Sequence, residues 1–370
     1  MELIATCAFG LEKLLYQEIK KLGLWVIKTE DGRVTFKGEK DDIVRANLWL
    51  RTAERVQIKL AEFEARTFDE LFDQTYALDW PSIVPEDATF PVLCTTTKST
   101  LHNEPAIQSI AKKAIVKKLQ TVRGSGNLPE TGPTYSILTR FNQDICTLSL
   151  DTTGDSLHKR GYRQQANLAP LKETLAAALV LLSDWTPEIA LVDPFCGSGT
   201  ILIEAAMIGL NIAPGMIRYF AFQNWSDFPA ELLEKYRREA KTQIIDRKLK
   251  IFGYDIDGET VKIARQNAAN MELTKQIDFT QSDFRKLKFE NLKDCTIITN
   301  PPYGERLSNE VDVAKLYTDL GKSYNMTNHS SLFLLTGFEE FQEAFARPAD
   351  KNRKLFNGKL KCYLYQYFKK

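Results

Sequence analysis

Asn300-Pro301-Pro302-Tyr303 is the stretch of this chain with the most chemistry to offer. It follows Thr296-Ile297-Ile298-Thr299, an apolar run that reads as a short buried strand. Proline fixes φ and holds the residue before it extended, so the Asn300 side chain and the Pro301 carbonyl can be aimed at one point. Two converging acceptors suit a planar –NH2 group. The nitrogen of an aromatic amine or an amide is a poor nucleophile because its lone pair is delocalised. Hydrogen bonds accepted from both of its N–H groups favour a more tetrahedral nitrogen and free that lone pair to attack. Tyr303 is placed to stack on the ring that carries the amine, a contact worth about 1–3 kcal/mol per base. A proline-stiffened strand end without chemistry is the competing reading.

A second motif bears on that choice. Ile189-Ala190-Leu191-Val192-Asp193 reads as a buried strand, followed by Pro194-Phe195-Cys196-Gly197-Ser198-Gly199-Thr200 and an apolar helix from Ile201 to Leu210. A strand, a glycine loop and a helix in that order let a ligand approach the backbone at a helix N-terminus. A phosphate-binding P-loop needs lysine after the last glycine, where Thr200 stands. A nicotinamide fingerprint needs a third glycine, where Leu202 stands. S-adenosylmethionine remains, since it needs close backbone approach and no pyrophosphate cradle.

Two acids follow at strand ends. Lys250-Ile251-Phe252-Gly253-Tyr254-Asp255-Ile256-Asp257 reads as the second strand of a doubly wound sheet, and Asp255, nearer the strand than Asp257, is the candidate for ribose hydroxyls. The usual spacing from glycine loop to acid is about 20 residues. Here residues 211–247 intervene, which predicts an insertion: Asn224-Trp225-Ser226-Asp227-Phe228-Pro229 and a charged helix from Ala230 to Asp246, expected near the site. Asp283, after the strand Ile277 to Thr280, is a candidate for an adenine amino group or else a helix cap.

The formal net charge of +1 does not by itself announce a nucleic acid, but the charge is unevenly distributed. From Lys98 to Arg123, six basic residues (Lys98, Lys112, Lys113, Lys117, Lys118, Arg123) face one acid, Glu104. Ile107, Ile110, Ala111, Ala114, Ile115 and Leu119 repeat at helical spacing and leave the lysines largely opposite them. That face is a footprint for phosphates or simply a solvated surface. A second cluster, His158-Lys159-Arg160-Gly161-Tyr162-Arg163, offers phosphate pairing and base stacking, or else a salt-bridged linker.

The elements that must position these residues fall into two or three domains, as 370 residues allow. Ser331 to Thr336 reads as a fifth strand of the doubly wound sheet, and Lys354 to Phe368 as a hairpin turning at Asn357-Gly358. Ahead of them, Leu3 to Thr6 and Gly32 to Phe36 read as strands around a helix from Gly10 to Lys21, and a further helix fits Lys40 to Leu50. This β-α-β-α order predicts a small ferredoxin-like unit. Phe90 to Thr97 and Ile145 to Leu150 read as strands flanking the basic helix. A chain with 44% hydrophobic and 26% charged residues is ordinary for a globular protein. There is no run of about 18 apolar residues and no signal-peptide pattern at Met1, so the cytoplasm is the expected compartment. Six dispersed cysteines, none in a Cys-x-x-Cys pair, and only His102, His158 and His329 argue against a metal site. Cys196 reads as a packing residue.

In order, Asp193 to Thr200, Gly253-Tyr254-Asp255, Ser282-Asp283 and Asn300 to Tyr303 resemble the motifs of Rossmann-like S-adenosylmethionine-dependent methyltransferases acting on exocyclic amines. Ala5 to Glu12, the region Thr95 to Leu119 and Leu148 to Gly154 resemble an N-terminal ferredoxin-like unit joined to an RNA-binding THUMP domain. The whole is similar to bacterial 23S rRNA guanine-N2 methyltransferases, in particular the N-terminal half of bifunctional ones. Leu157 to Arg163, Ala169 to Ala176 and Asn300 to Leu307 carry that similarity. It implies a ferredoxin-like unit over 1–60, a THUMP domain over 61–160 and a seven-stranded α/β methyltransferase domain over 161–370. It also implies cofactor contacts from Asp193, Pro194, Gly197, Gly199, Thr200, Asp255 and Asp283, with Thr174 a further one or else a helix-start residue. Asn300, Pro301 and Tyr303 would hold the target base, and Lys112, Lys113, Lys117, Lys159, Arg160 and Arg163 would hold RNA. Because the chain ends at Lys370, one methylation is expected rather than two. A tRNA guanine-N2 methyltransferase, a DNA adenine methyltransferase, a protein glutamine methyltransferase and a non-catalytic RNA-binding or assembly factor are the alternatives. The first differs only in the RNA, the second should carry a sequence-reading domain, the third has little use for basic clusters, and the last should show decayed motifs.

Overall fold

A computed structural model of the protein describes residues 1–124, 126, 128–163, 171–303, 310–327, 329–358 and 360–369. The chain begins β1 (Glu2–Cys7), α1 (Glu12–Lys21), β2 (Trp25–Glu30), β3 (Arg33–Lys37), α2 (Lys40–Trp49), β4 (Ala53–Glu64). This βαββαβ order is ferredoxin-like. Sequence reading missed β2, because an edge strand whose side chains are mostly in water carries no apolar alternation.

Next come α3 (Phe68–Ala77), α4 (Trp80–Ile83), β5 (Val92–Thr97), α5 (Glu104–Arg123), β6 (Ile137–Asn142) and β7 (Ile145–Asp151). Asn103 caps α5 by accepting from the Ala106 N–H, and Ile107, Ala111, Ala114, Ile115 and Leu119 form its buried stripe. Strands β1 to β7 make one sheet in the order β2-β3-β1-β4-β7-β6-β5. The 60/61 boundary drawn from sequence falls inside β4, which pairs with β1 around Ala5↔Val56 and with β7 out to Glu64↔Ile145.

The rest runs α6 (Glu173–Leu182), β8 (Ala190–Asp193), α7 (Thr200–Gly209), α8 (Ala230–Thr242), β9 (Ile251–Asp255), α9 (Gly258–Asn270), β10 (Ile277–Gln281) and β11 (Cys295–Thr299). It closes with α10 (Glu310–Tyr324), β12 (Ser331–Thr336), α11 (Phe341–Phe345), β13 (Lys351–Asn357) and β14 (Leu360–Tyr367). The second sheet has the order β10-β9-β8-β11-β12-β14-β13, parallel through β12 and antiparallel in the terminal hairpin. This is a Rossmann-like, doubly wound α/β sheet. The hairpin turns one residue later than expected, since Asn357 pairs with Leu360 and is still strand. Successive residues of β12 alternate between two cores: Phe333 and Leu335 join the larger one, Leu332 and Leu334 the one packed with Tyr317 and Phe341.

Residues 211–247 are an insertion, but they do not lie where the sequence placed them. They dock on the first sheet's unit. Trp225 stacks on Tyr135 at 4.8 Å and donates to the Thr134 carbonyl, while the Tyr236 hydroxyl donates to Asp41 at 2.6 Å. The reason is hydrophobic: Phe220, Phe222, Trp225 and Phe228 need cover, and the N-terminal unit supplies it. Among the described residues no helix is long and apolar enough to cross a membrane.

Candidate functional site

In the second sheet the strand order reverses between β8 and β11, and the C-terminal ends of both open on the same edge. Such a switch point leaves a crevice outside the strand ends. The glycine loop fills its near side. Cys196 N–H donates to the Tyr254 carbonyl and Gly199 N–H to the Cys196 carbonyl, each at 2.8 Å. Gly197 and Gly199 both have positive φ, +52° and +80°, but their surroundings differ. Around Gly197 a Cβ would meet nothing within 4 Å, so this backbone faces open space. At Gly199 it would strike the Phe279 ring at 2.8 Å, so packing requires glycine at this position. Pro194 is buried in the same turn.

Asp255 closes the loop from the side. Its Oδ2 accepts the Gly197 N–H at 2.9 Å and its Oδ1 the Asp257 N–H at 3.0 Å. Asp257 is instead the cap of α9, accepting from the Glu259 N–H and the Thr260 hydroxyl. Asp283 receives the Arg285 N–H and Nε, both on Oδ1 at 3.0 Å. Burial works against its ionisation, yet those bonds and the Arg285 charge hold its carboxyl below the ordinary range. The neighbouring Phe284 packs on Phe195 at 4.8 Å, which joins the β10 end to the glycine loop.

Several expected contacts turn out to be struts. Asp193 is fully buried, and its Oδ1 accepts the Thr299 hydroxyl at 2.6 Å and the Phe195 N–H at 3.0 Å. It ties the end of β8 to the end of β11. Burial, against those two bonds, pushes its carboxyl up to about 7. Thr174 is also buried, donating to Glu54 Oε1 at 2.8 Å across the seam between the two sheets. The Thr200 hydroxyl is engaged by Arg163 Nη2 at 2.5 Å. Asn267 escaped the sequence reading: its Nδ2 holds the Ser198 carbonyl at 3.0 Å, and an asparagine in mid-helix so far from the loop carries no local signal.

On the far side of the crevice stands Asn300, directly after β11. Its Oδ1 is buried and, among the described residues, has no hydrogen-bond partner. A buried amide oxygen left idle costs about 1–3 kcal/mol, which a ligand N–H would recover. Pro301 is buried beside it. The Tyr303 hydroxyl pairs with Cys362 Sγ at 3.5 Å and its ring lies along Gly337, where a Cβ would come within 3.3 Å. The open Gly197 backbone with the Asp255 carboxylate bonded to it, and the Asn300 oxygen, thus stand at the ends of strands that flank the switch point. They fit a cofactor with a hydroxylated sugar and a neighbouring amine. The continuation Gly304 to Leu307 and the stretch Ala169-Pro170 lie outside the described residues.

The basic residues divide sharply. Lys113 and Lys117 face solvent on α5, and Lys159 is exposed beside Asp155 at 2.9 Å. Lys112 is spent: it donates to the Phe90 carbonyl and to both Glu130 oxygens, and lies 3.3 Å over the Phe90 ring. Arg160 cannot reach RNA, being 1% exposed and paired with the buried Glu204 at 3.2 Å. Arg163 is nearly covered as well, bonded to Thr200 and the Leu171 carbonyl and 3.5 Å from Glu173. Tyr162, offered for stacking, is fully buried. Cations beside an interdomain seam are captured by its carboxylates and carbonyls, because a buried unpaired charge is far too costly.

Three comparisons relate the chain to known proteins. Residues 2–57 match the RlmL ferredoxin-like domain, 65–151 the THUMP domain and 160–366 the RMKL-like methyltransferase domain. The chain is 45% identical over 371 residues to the "Putative RNA methyltransferase YpsC" of Bacillus subtilis (strain 168), covering 100% of this chain and 96% of that one. It is 36% identical to a ribosomal RNA large subunit methyltransferase K/L of Photobacterium profundum, matching 98% of this chain and only 52% of the relative. The chain therefore spans about half the length of the K/L relatives it matches. The crystal structure of SMU.472 complexed with SAH superposes with a TM-score of 0.92 at 46% identity, covering 100% of this chain and 98% of that one. SAH is what S-adenosylmethionine becomes once its methyl group has left. With a family match over residues 160–366 and relatives of this identity along the whole chain, the protein belongs to the RMKL-like family of S-adenosylmethionine-dependent methyltransferases.

Proposed function

We propose that this chain methylates the exocyclic amine of an RNA base, N2 of a guanine in 23S ribosomal RNA, in the cytoplasm. The observation that carries the reading is the buried Asn300 Oδ1 at the switch point, which has no hydrogen-bond partner among the described residues and is an acceptor for an N–H. The match to a THUMP domain and the relatives named for large-subunit ribosomal RNA supply the substrate class. S-adenosylmethionine, when bound, provides a methyl group already activated on a sulfonium. Asp255 at the end of β9 and Asp283 after β10 are the acceptors for its ribose and adenine. The Gly197 backbone is the surface it approaches.

Asn300 Oδ1 accepts one N–H of the guanine amine and the Pro301 carbonyl the other, which localises the lone pair for attack. Tyr303 holds the extruded base by its ring face. Positioning supplies most of the acceleration, as expected for a reaction whose donor is already reactive. The amine loses its proton to water after attack, so no histidine or cysteine base is required. Asp193, Thr174 and Thr200 contribute indirectly, by fixing the strand ends and the loop.

Nucleoside mass spectrometry on ribosomal and transfer RNA from a deletion strain tests this. Loss of N2-methylguanosine from one 23S position, restored by the wild-type gene and not by an Asn300→Ala copy, is the expected result. Loss confined to tRNA would move the substrate to that alternative, and intact RNA with missing N6-methyladenine in DNA would overturn the reading.

A further inference from the structure

A cavity of about 830 Å³, with none of Gly197, Asp255 and Asn300 in its wall, lies where the linker 153–163, the start of α6 and residues 217–221 of the insertion meet. Its volume is that of a small-molecule or nucleotide site. Its walls are unusual in charge. Lys159, Lys172 and Arg218 line it, with Asp155 at the rim, while Arg160 and Arg163 in the same wall are already paired with Glu204 and Glu173.

Arg218 sets the character of the site. It is buried, and its guanidinium donates to the carbonyls of Asp155, Ser156, Lys159 and Tyr219. Among the described residues it has no carboxylate in ion-pair range, so its charge is uncompensated at close quarters. The same bonds brace the linker as one wall. Opposite, Gly161 at φ +103° lets the linker lie against Ile217, where a Cβ would come within 3.3 Å. The insertion then turns two large side chains outward into the cavity: Ile217 is 49% exposed and Tyr219 54%. The adjacent Phe220 and Phe222 are wholly buried, so the exposure of Tyr219 is not a failure of packing in the segment.

Two lysines stand at the rim. Lys159 pairs with a solvent-exposed Asp155, and Lys172 stands 3.5 Å from Glu54, which is already satisfied by His158, Ser156 and Thr174. The exposed Lys159 pair contributes little and exchanges readily for a phosphate, while Lys172 is itself part exposed beside a half-covered Glu54. An aromatic face beside an apolar one, with two lysines at the rim, is the pattern that takes an unpaired nucleotide. The cavity also connects to the reaction centre through one side chain, since Arg163 reaches from its wall to Thr200 at the start of α7.

We propose that this cavity holds one unpaired nucleotide of the RNA, outside the methylated base, with its base on Tyr219 and Ile217 and its phosphate toward Lys159 and Lys172. The proposal rests on the RNA methyltransferase reading above. It gives the insertion a role in substrate capture and makes the joint between the two sheets part of the RNA path.

The test uses the full chain and 23S rRNA fragments bearing 4-thiouridine in single-stranded positions near the modified site. Cross-linking and mass spectrometry should recover the peptide containing Tyr219. Tyr219→Ala should weaken fragment binding by roughly five- to a hundredfold, Tyr219→Phe should restore it, and calorimetry should find cofactor affinity equal in all three proteins. Wild-type RNA affinity with cross-links elsewhere, or an alanine variant that binds as tightly as wild type, overturns the nucleotide site and leaves the methyltransferase reading standing. Equal retention of a DNA strand of the same sequence would reassign the cavity to that polymer. A wild-type chain that binds no RNA would remove both readings together.

Discussion

The strand-end crevice and the seam between the two sheets are built from the same residue types and use them in opposite ways. In the crevice Asn300 Oδ1 is buried and idle, and the Gly197 backbone faces open space. In the seam, polar groups are turned on one another. Arg160 is taken by Glu204, and Glu54 accepts from Ser156 and Thr174 and pairs with His158 and Lys172. Burial opposes ionisation of Glu54, yet those bonds hold it well below the usual carboxylate range. Even the seam groups with one idle atom, Arg51, Arg163 and Glu173, are held through their others. Buried polarity that is satisfied internally reads as architecture, and buried polarity that is left open reads as a place for a ligand.

The largest effect expected from this contrast is at Asn300. Replacement by alanine removes an acceptor that no group among the described residues uses, so folding should be unchanged while kcat falls by about a hundredfold or more. Single-turnover methylation and calorimetry with the cofactor measure the two quantities, and a near-normal rate would end the lone-pair mechanism.

Arg160 should behave in the reverse manner. Arg160→Ala leaves Glu204 buried without its partner and should cost on the order of 3–5 kcal/mol in a denaturant titration. The salt dependence of RNA binding should stay where it was. A stable variant with a flatter slope would return Arg160 to the RNA surface.

A third, smaller effect sharpens the line between strut and ligand contact at Asp193. Its native carboxyl titrates near 7 while its unfolded value is the ordinary 3.8, so the native state binds more protons between these limits and stability declines as pH rises through them. Asp193→Asn keeps both accepted hydrogen bonds and removes the buried charge. It should therefore be stabilising by up to about 4 kcal/mol at pH 8 and nearly neutral at pH 4. Melting temperatures of both proteins across that range decide it; a difference independent of pH would show that Asp193 does not titrate there.

The smallest effect is on α5. Lys113→Gln with Lys117→Gln should reduce the log–log salt slope of RNA binding by roughly 0.7–0.9 for each phosphate that the variant no longer neutralises. Lys112→Gln, already committed to Glu130 and Phe90, should leave the slope alone. A slope that follows Lys112 instead would mean that this pair opens on binding.

The elements of the second sheet were readable because each motif sits where a buried apolar run meets proline or glycine. β11 and β12 were placed within a residue, and Asp255 was separated from Asp257 by its nearness to the strand. The first sheet was read less completely. β2, β4, β6 and α3 went unrecognised, and β4 serves two sets of partners along its length, which no local pattern encodes. Among the charged residues the sequence identified type without assignment, since Lys112, Lys113 and Lys117 all lie on α5 yet of the three only Lys112, on the flank of the helix, finds a carboxylate and a ring.

By itself, then, the sequence determined the doubly wound sheet, the order of its motifs and the acceptor after β11, because strand length, turn residues and helix periodicity are set by neighbours along the chain. Only the tertiary structure decided that Asp193 and Thr174 are struts, that Gly199 is needed for the Phe279 ring, and that Arg160 is locked inside the seam. It also moved the insertion from the cofactor site to the N-terminal unit, where it builds the wall that carries Tyr219. These outcomes turn on which groups lie across the seam or crevice and what water they exclude, and that is settled by packing between residues as far apart in the chain as Glu54 and Thr174.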